Sequence, residues 1–236
     1  MIKLVIFDLI GTLIDEETFL EEVDVLDEKL LSKYGINVDR DKYNALKPKV
    51  LDEIEHLPVK LAIKPSIFYE LCLKHLGVKV QERTLLKLSK EFDNMYVKSV
   101  ELKKGVKRVL SELKMKYALA LVSDTAFYRV NGILDRYSLR RFFDVIITPE
   151  QYGRKKGQAP FRMVMRKLGA KPEESIVVGD RLKSDVLPAE KLGMYYIKVG
   201  KVGPGEIYTW YSKNIAGIPT LIKSIERYSW DKTPSV

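Results

Sequence analysis

The chain has 236 residues and a net charge of +9, with 46% hydrophobic and 31% charged residues, a soluble globular composition that excludes a disordered chain and suits one large domain or a domain with a sizeable insertion. One cysteine, Cys72, excludes an internal disulfide and a multi-cysteine metal site, and two histidines, His56 and His75, leave little for a histidine-based one. No apolar run is long enough to span a bilayer, and the first apolar stretch meets Asp8 at once, so it does not read as a signal peptide; the expected location is the cytoplasm.

The opening run MIKLVIFDLIGTLID contains an apolar segment from Ile2 to Phe7 that ends at Asp8 and feeds a turn at Gly11. This reads as a buried strand, with Asp8 at its carboxyl end, where open α/β sheets place their ligand sites. Phe19, Val23, Leu26, Leu30 and Leu31 then recur at helical steps until Gly35 and Asn37. A second helix is predicted from about Arg40 to Glu55, and Pro58 and Pro65 bracket a short connection. A third follows from Ile67 to Leu76, closed by Gly77, and a fourth from Gln81 to Val97. No strand is evident between Asp15 and Ser99, which predicts a helical insertion over 15–98 between core segments 1–14 and 99–236.

From Leu102 helices and strands alternate. The predicted helices are Val106 to Met115, Ala126 to Tyr137, Phe161 to Leu168, Val186 to Leu192 and Pro219 to Arg227. The predicted strands are Tyr117 to Val122, Phe143 to Ile147, Ser175 to Val178 and Met194 to Val199. That alternation predicts an α/β fold, a Rossmann-like parallel sheet covered by helices on both faces, with an inserted α-helical domain. Lys201 to Ala216 takes no assignment, and Trp230 to Val236 is expected to be loose.

Asp8, Ser123 and Asp180 all stand at predicted strand ends, and Lys155 and Lys156 precede the Phe161 helix. Singly, each has an ordinary reading: a turn residue, a helix cap or a solvated lysine. In a parallel sheet they share one edge, which assembles a carboxylate pair, a hydroxyl and an ammonium around one crevice. Two carboxylates suit a magnesium ion, which prefers hard oxygen ligands and leaves room for a phosphate. A carboxylate can then act as nucleophile toward that phosphate.

FDLIGTLID, LVSDT, the lysine pair in KKGQAPF and VVGDRLKSD, in this order, resemble the motifs of the haloacid dehalogenase-like (HAD) superfamily, and the helical insertion is similar to its class-one cap. The resemblance implies catalysis by Asp8, Ser123 and Lys155. It implies phosphate binding by Gly11, Thr12, Ser123, Asp124 and Lys155, and a Mg²⁺ ion on Asp8, the Ile10 carbonyl, Asp180 and Asp185. Lys156 competes with Lys155 for the lysine role, because Gly157 and Gln158 depart from the usual pattern.

Position 10 is a second departure. In similar phosphatases it is an aspartate that protonates the leaving group and activates water; isoleucine has no proton to give. The expected function is a magnesium-dependent phosphatase-type hydrolase with an aspartate nucleophile, impaired or specialised toward good leaving groups. Alternatives are a regulatory protein that only captures phosphate or metal, a 2-haloacid dehalogenase, whose halide leaves unprotonated, and a carbon–phosphorus hydrolase. The metal-type GDRLKSD motif ranks the phosphatase above the dehalogenase. The expected partner is a small phosphorylated substrate rather than a membrane. Nucleic acid is not expected, because the basic clusters Lys103 to Arg108 and Arg154 to Lys156 lack interleaved aromatics. Oligomeric state is not legible.

Overall fold

A computed structural model describes residues 1–57, 59–62, 64, 66–153 and 157–231. The chain forms two compact units, one of Met1–Asp15 with the residues from Glu101 onward, the other Glu16–Val100. The first unit opens with β1 (Leu4–Phe7), buried along its whole length as a strand with parallel neighbours on both sides must be. β2 (Ile14–Asp15) follows and pairs antiparallel with β3 (Glu101–Leu102), so Asp15 faces Glu101 where the helical segment departs and returns. Two-residue strands carry no alternation, which is why the sequence shows no sign of them.

The second unit consists of α1 (Glu17–Lys33), α2 (Arg40–His56), the short α3 (Val59–Ala62), α4 (Ile67–His75) and α5 (Glu82–Ser99). Asp39 caps α2 by accepting a hydrogen bond from the Lys42 amide at 3.0 Å. The apolar stripes of these helices meet in a core that includes Leu31, Val50, Leu73 and Leu88. A polar cluster lies inside it. Asp27, 1% exposed, accepts from the Tyr43 hydroxyl at 3.0 Å and the Tyr69 hydroxyl at 2.6 Å, and pairs with Lys47 Nζ at 2.9 Å.

After β3 the first unit continues with α6 (Val106–Lys114), β4 (Ala118–Val122), α7 (Phe127–Arg136), β5 (Val145–Ile147), α8 (Pro149–Tyr152) and α9 (Gln158–Leu168). β6 (Ser175–Gly179), a π-helical turn (Leu182–Val186), α10 (Leu187–Lys191), β7 (Tyr195–Val199), β8 (Tyr211–Ser212) and α11 (Ile218–Asp231) complete it. Six strands form one sheet in the order β5-β4-β1-β6-β7-β8, with every pairing parallel. Leu4, Ile6, Ala120 and Val177 pack with Phe161 and Val164 of α9. Pleat alternation turns Val5 and Phe7 to the opposite face, where α6 and α11 pack against β4 and β7. This is the Rossmann-like α/β core expected from the alternating pattern.

The structure corrects several expectations. α9 begins at Gln158 rather than Phe161, and the helix predicted over Val186 to Leu192 is α10, preceded by a π-helical turn at Leu182–Val186 that the sequence does not suggest. The unassigned stretch contains β8 and a 3₁₀ turn at Ile215–Gly217. Trp230 and Asp231, expected to be loose, continue α11, while 232–236 lie outside the described residues. Among the described residues no helix is long and apolar enough to cross a membrane.

Candidate active site

Register sets the site. Phe7 pairs with Leu121 on one side and Val178 on the other, so Asp8, Ser123 and Asp180 leave three adjacent strands at the same edge. The Asp8 amide still belongs to the ladder, donating to the Val178 carbonyl at 2.9 Å, and the Ser123 amide donates to Ile147 at 3.1 Å. Beyond Asp8 the chain doubles back. The amides of Leu13 and Ile14 donate to the Leu9 carbonyl, and the Gly11 amide donates to Ile14 at 2.8 Å.

This tight loop brings Gly11 against Asp180. Gly11 has φ +82°, and a β-carbon there would lie 2.2 Å from Asp180 Oδ2. Thr12 is fully buried, with its hydroxyl 3.2 Å from Asp8 Oδ2 and 3.3 Å from Asp180 Oδ1, so one hydroxyl serves both carboxylates. Asp185 comes from the π-helical turn. The Arg181 amide donates to its Oδ2 at 2.9 Å, and a β-carbon on Gly179 would lie 2.3 Å from its Cγ.

One carboxylate oxygen from each of Asp8, Asp180 and Asp185 falls within 4.8 Å of the others. Asp8 is 8% exposed and Asp185 1%. Anionic groups gathered out of water need compensating positive charge. The donors are hard oxygens, the set that suits Mg²⁺ or Ca²⁺. The residues therefore fit a divalent cation, and two glycines supply the space in which two of the carboxylates sit.

The other predicted positions are placed as follows. The Ile10 side chain is 8% exposed, an apolar group within the loop that carries Asp8. Ser123 is buried, and its Oγ accepts from the Thr125 amide at 3.1 Å. Asp124 Oδ1 accepts from the Tyr152 hydroxyl at 2.7 Å; that hydroxyl also lies 2.8 Å from the Ser123 carbonyl. Lys155 and its competitor Lys156 lie outside the described residues.

Two further residues stand beside the site. Burial pushes the Tyr152 hydroxyl pKa above its ordinary value, and Asp124 and Asp8 push the same way. Tyr152 closes α8, whose Thr148–Pro149–Glu150–Gln151 start is a capping box, a pattern legible in sequence as TPEQ. Lys198, 2% exposed, is paired with Gly179 in the sheet and donates to the carbonyls of Val199, at 3.1 Å, and Lys201. Burial holds its pKa below the usual lysine value, against the opposing pull of Asp180, Glu206 and Asp185. Its signal in sequence is a lone lysine inside the apolar strand YYIKV.

A family model described as haloacid dehalogenase-like hydrolase matches residues 5–199. A glyceraldehyde 3-phosphate phosphatase of Methanocaldococcus jannaschii is 28% identical over 203 residues, covering 85% of this chain and 86% of that protein. Among solved structures, a 2-haloacid dehalogenase from Pseudomonas syringae superposes with a TM-score of 0.73 at 21% identity, over 95% of this chain and 99% of that one. The HAD-hydrolase YfnB from Bacillus subtilis, described as bound to magnesium, superposes at 0.70 with 16% identity, over 94% and 99%. At these identities the two structures speak to the fold.

Proposed function

The chain belongs to the haloacid dehalogenase-like hydrolases, and from that premise we propose that it is a magnesium-dependent phosphatase acting on a small phosphorylated metabolite, with Asp8 as nucleophile. The observation that carries this reading is the cluster of Asp8, Asp180 and Asp185, the first and last buried and Asp180 half-buried, with Thr12 between the first two. Relatives named glyceraldehyde 3-phosphate phosphatase bring short-chain sugar phosphates among the candidate substrates, although their alkoxide leaving groups are the ones that Ile10 serves least well.

Asp8, Asp180, Asp185 and the Ile10 carbonyl would hold the cation, which supplies positive charge to offset that of the carboxylates and the phosphate. An Asp8 oxygen attacks phosphorus and the bond to the leaving oxygen breaks. Water then attacks the aspartyl-phosphate, releasing inorganic phosphate and regenerating the carboxylate. Ser123 is buried at the same edge, where it suits a phosphoryl oxygen, and Tyr152 steadies Asp124 and the Ser123 backbone next to it. The leaving oxygen needs a proton that Ile10 does not carry, so substrates with stable leaving groups are favoured.

The test is a phosphate-release screen of small esters with and without Mg²⁺, run beside Asp8→Asn. The expected result is metal-dependent turnover that vanishes in the variant. Turnover indifferent to EDTA or retained by Asp8→Asn overturns the reading. Halide release from 2-haloacids without added metal would instead mark a dehalogenase.

A further inference from the structure

We propose that the sheet-bearing unit carries a second anion-binding pocket, separate from the aspartate cluster, that takes a small oxyanion with at least two negative groups, of the diphosphate class. The pocket, about 540 Å³, is rimmed by Lys103, Lys104, Arg108 and Lys213 and backed by Val199 and Ile215. None of Asp8, Thr12, Ser123, Asp180 and Asp185 lines it, and no acidic side chain does among the described residues. Its volume is in the usual range for small-molecule sites, roughly 300–1,000 Å³.

Charge makes the case. Four cations share one concavity, and Lys104, Arg108 and Lys213 form no ion pair among the described residues. Val199 and Ile215 are 1% exposed, so the cations are backed by an apolar wall that focuses their field into the cavity. Helix α6 starts at this rim with Gly105 as its N-cap, no side-chain cap and no acidic residue in its first turn. The first-turn amides therefore add positive potential of the same sign. One monoanion would leave most of this charge uncompensated, whereas a diphosphate-like ligand matches it.

The pocket also touches the reaction loop. Lys103 Nζ donates to the Gly11 carbonyl, between Asp8 and Thr12. An anion that draws on Lys103 competes with that hydrogen bond, so occupancy is coupled to the Gly11 backbone.

The test uses methylenediphosphonate, a diphosphate analogue that cannot be hydrolysed at phosphorus–oxygen–phosphorus, titrated into ¹⁵N-labelled full-length protein without divalent metal, when the aspartate cluster repels anions. The expected result is saturable shifts of the Gly105, Val106 and Ala216 amides, with the same midpoint in Asp8→Asn. Lys104→Glu/Arg108→Glu should weaken binding at least about tenfold, since each lost charged hydrogen bond alone is of that order. If the reversal unfolds the protein, Lys104→Gln/Arg108→Gln carries the same expectation. Shifts confined to 8–12 and 180–185, a midpoint unchanged in the folded double variant, or equal shifts from sodium chloride at matched ionic strength overturn the proposal.

Discussion

Gly11 and Asp180 are packed so closely that a β-carbon on residue 11 would stand 2.2 Å from the Asp180 carboxylate. The loop after β1 and the loop after β6 therefore meet backbone to side chain. The φ of +82° at Gly11 independently favours glycine.

Gly11→Ala should therefore act on the proposed metal site. The left-handed backbone costs an L-residue about 1–2 kcal/mol, and the methyl group displaces Asp180. Mg²⁺ affinity by titration calorimetry should fall roughly 10–100-fold, the range seen when the support of a ligand is disturbed. An unchanged affinity would detach Asp180 from the cation.

Ile10→Asp should restore the missing proton donor. General acid–base groups contribute roughly 10²–10⁴-fold, so kcat on an alkyl ester such as glyceraldehyde 3-phosphate should rise by a sizeable part of that range. p-Nitrophenyl phosphate, whose leaving group needs no proton, should gain far less. Equal gains on both substrates would count against the leaving-group argument.

Tyr152→Phe removes the hydroxyl shared by the Ser123 carbonyl and Asp124 Oδ1. One lost hydrogen bond of this kind corresponds to about 1 kcal/mol, or a several-fold fall in kcat/KM. The reading to check alongside is thermal stability: if turnover drops only in proportion to folded protein, Tyr152 has no positioning role.

Asp27→Ala should destabilise the helical unit. It leaves the buried hydroxyls of Tyr43 and Tyr69 without their acceptor, while Lys47 Nζ keeps Asp24 at 2.7 Å. A buried donor left unsatisfied costs about 1–3 kcal/mol. Amide hydrogen exchange should show the loss in 16–100 with little change in the strands of the other unit, since two units need not unfold together.

Cys72 should be inert in the folded protein. Burial, reinforced by Asp27 and opposed by Lys47, pushes its thiol pKa from 9.0 up to about 12. Because the folded value is raised, the associated stability is full below about pH 9, where the unfolded thiol begins to ionise, and is lost as pH climbs toward about 12. Iodoacetamide should label Cys72 at pH 8.5 only in denaturant; rapid native labelling would contradict its burial.

Much of this molecule is legible in one dimension. The apolar run before Asp8 marks a buried strand, helical spacing at Phe19, Val23 and Leu30 marks α1, and strand ends at Ser123 and Asp180 follow from alternation, because period and burial are properties of neighbouring residues. The paired strands β2 and β3 are not legible, since their partners are separated by the whole helical segment and neither is long enough to alternate.

Only the tertiary structure decides that Thr12 hydrogen-bonds to two carboxylates, that Tyr152 reaches Asp124, and that Lys198 is buried beside Gly179. Apart from Thr12 with Asp8, four residues away, those relations join residues well separated in the chain through sheet register and loop closure. Local propensity can say that a residue ends a strand; it carries no information about which atom that residue will meet across a gap of three ångströms.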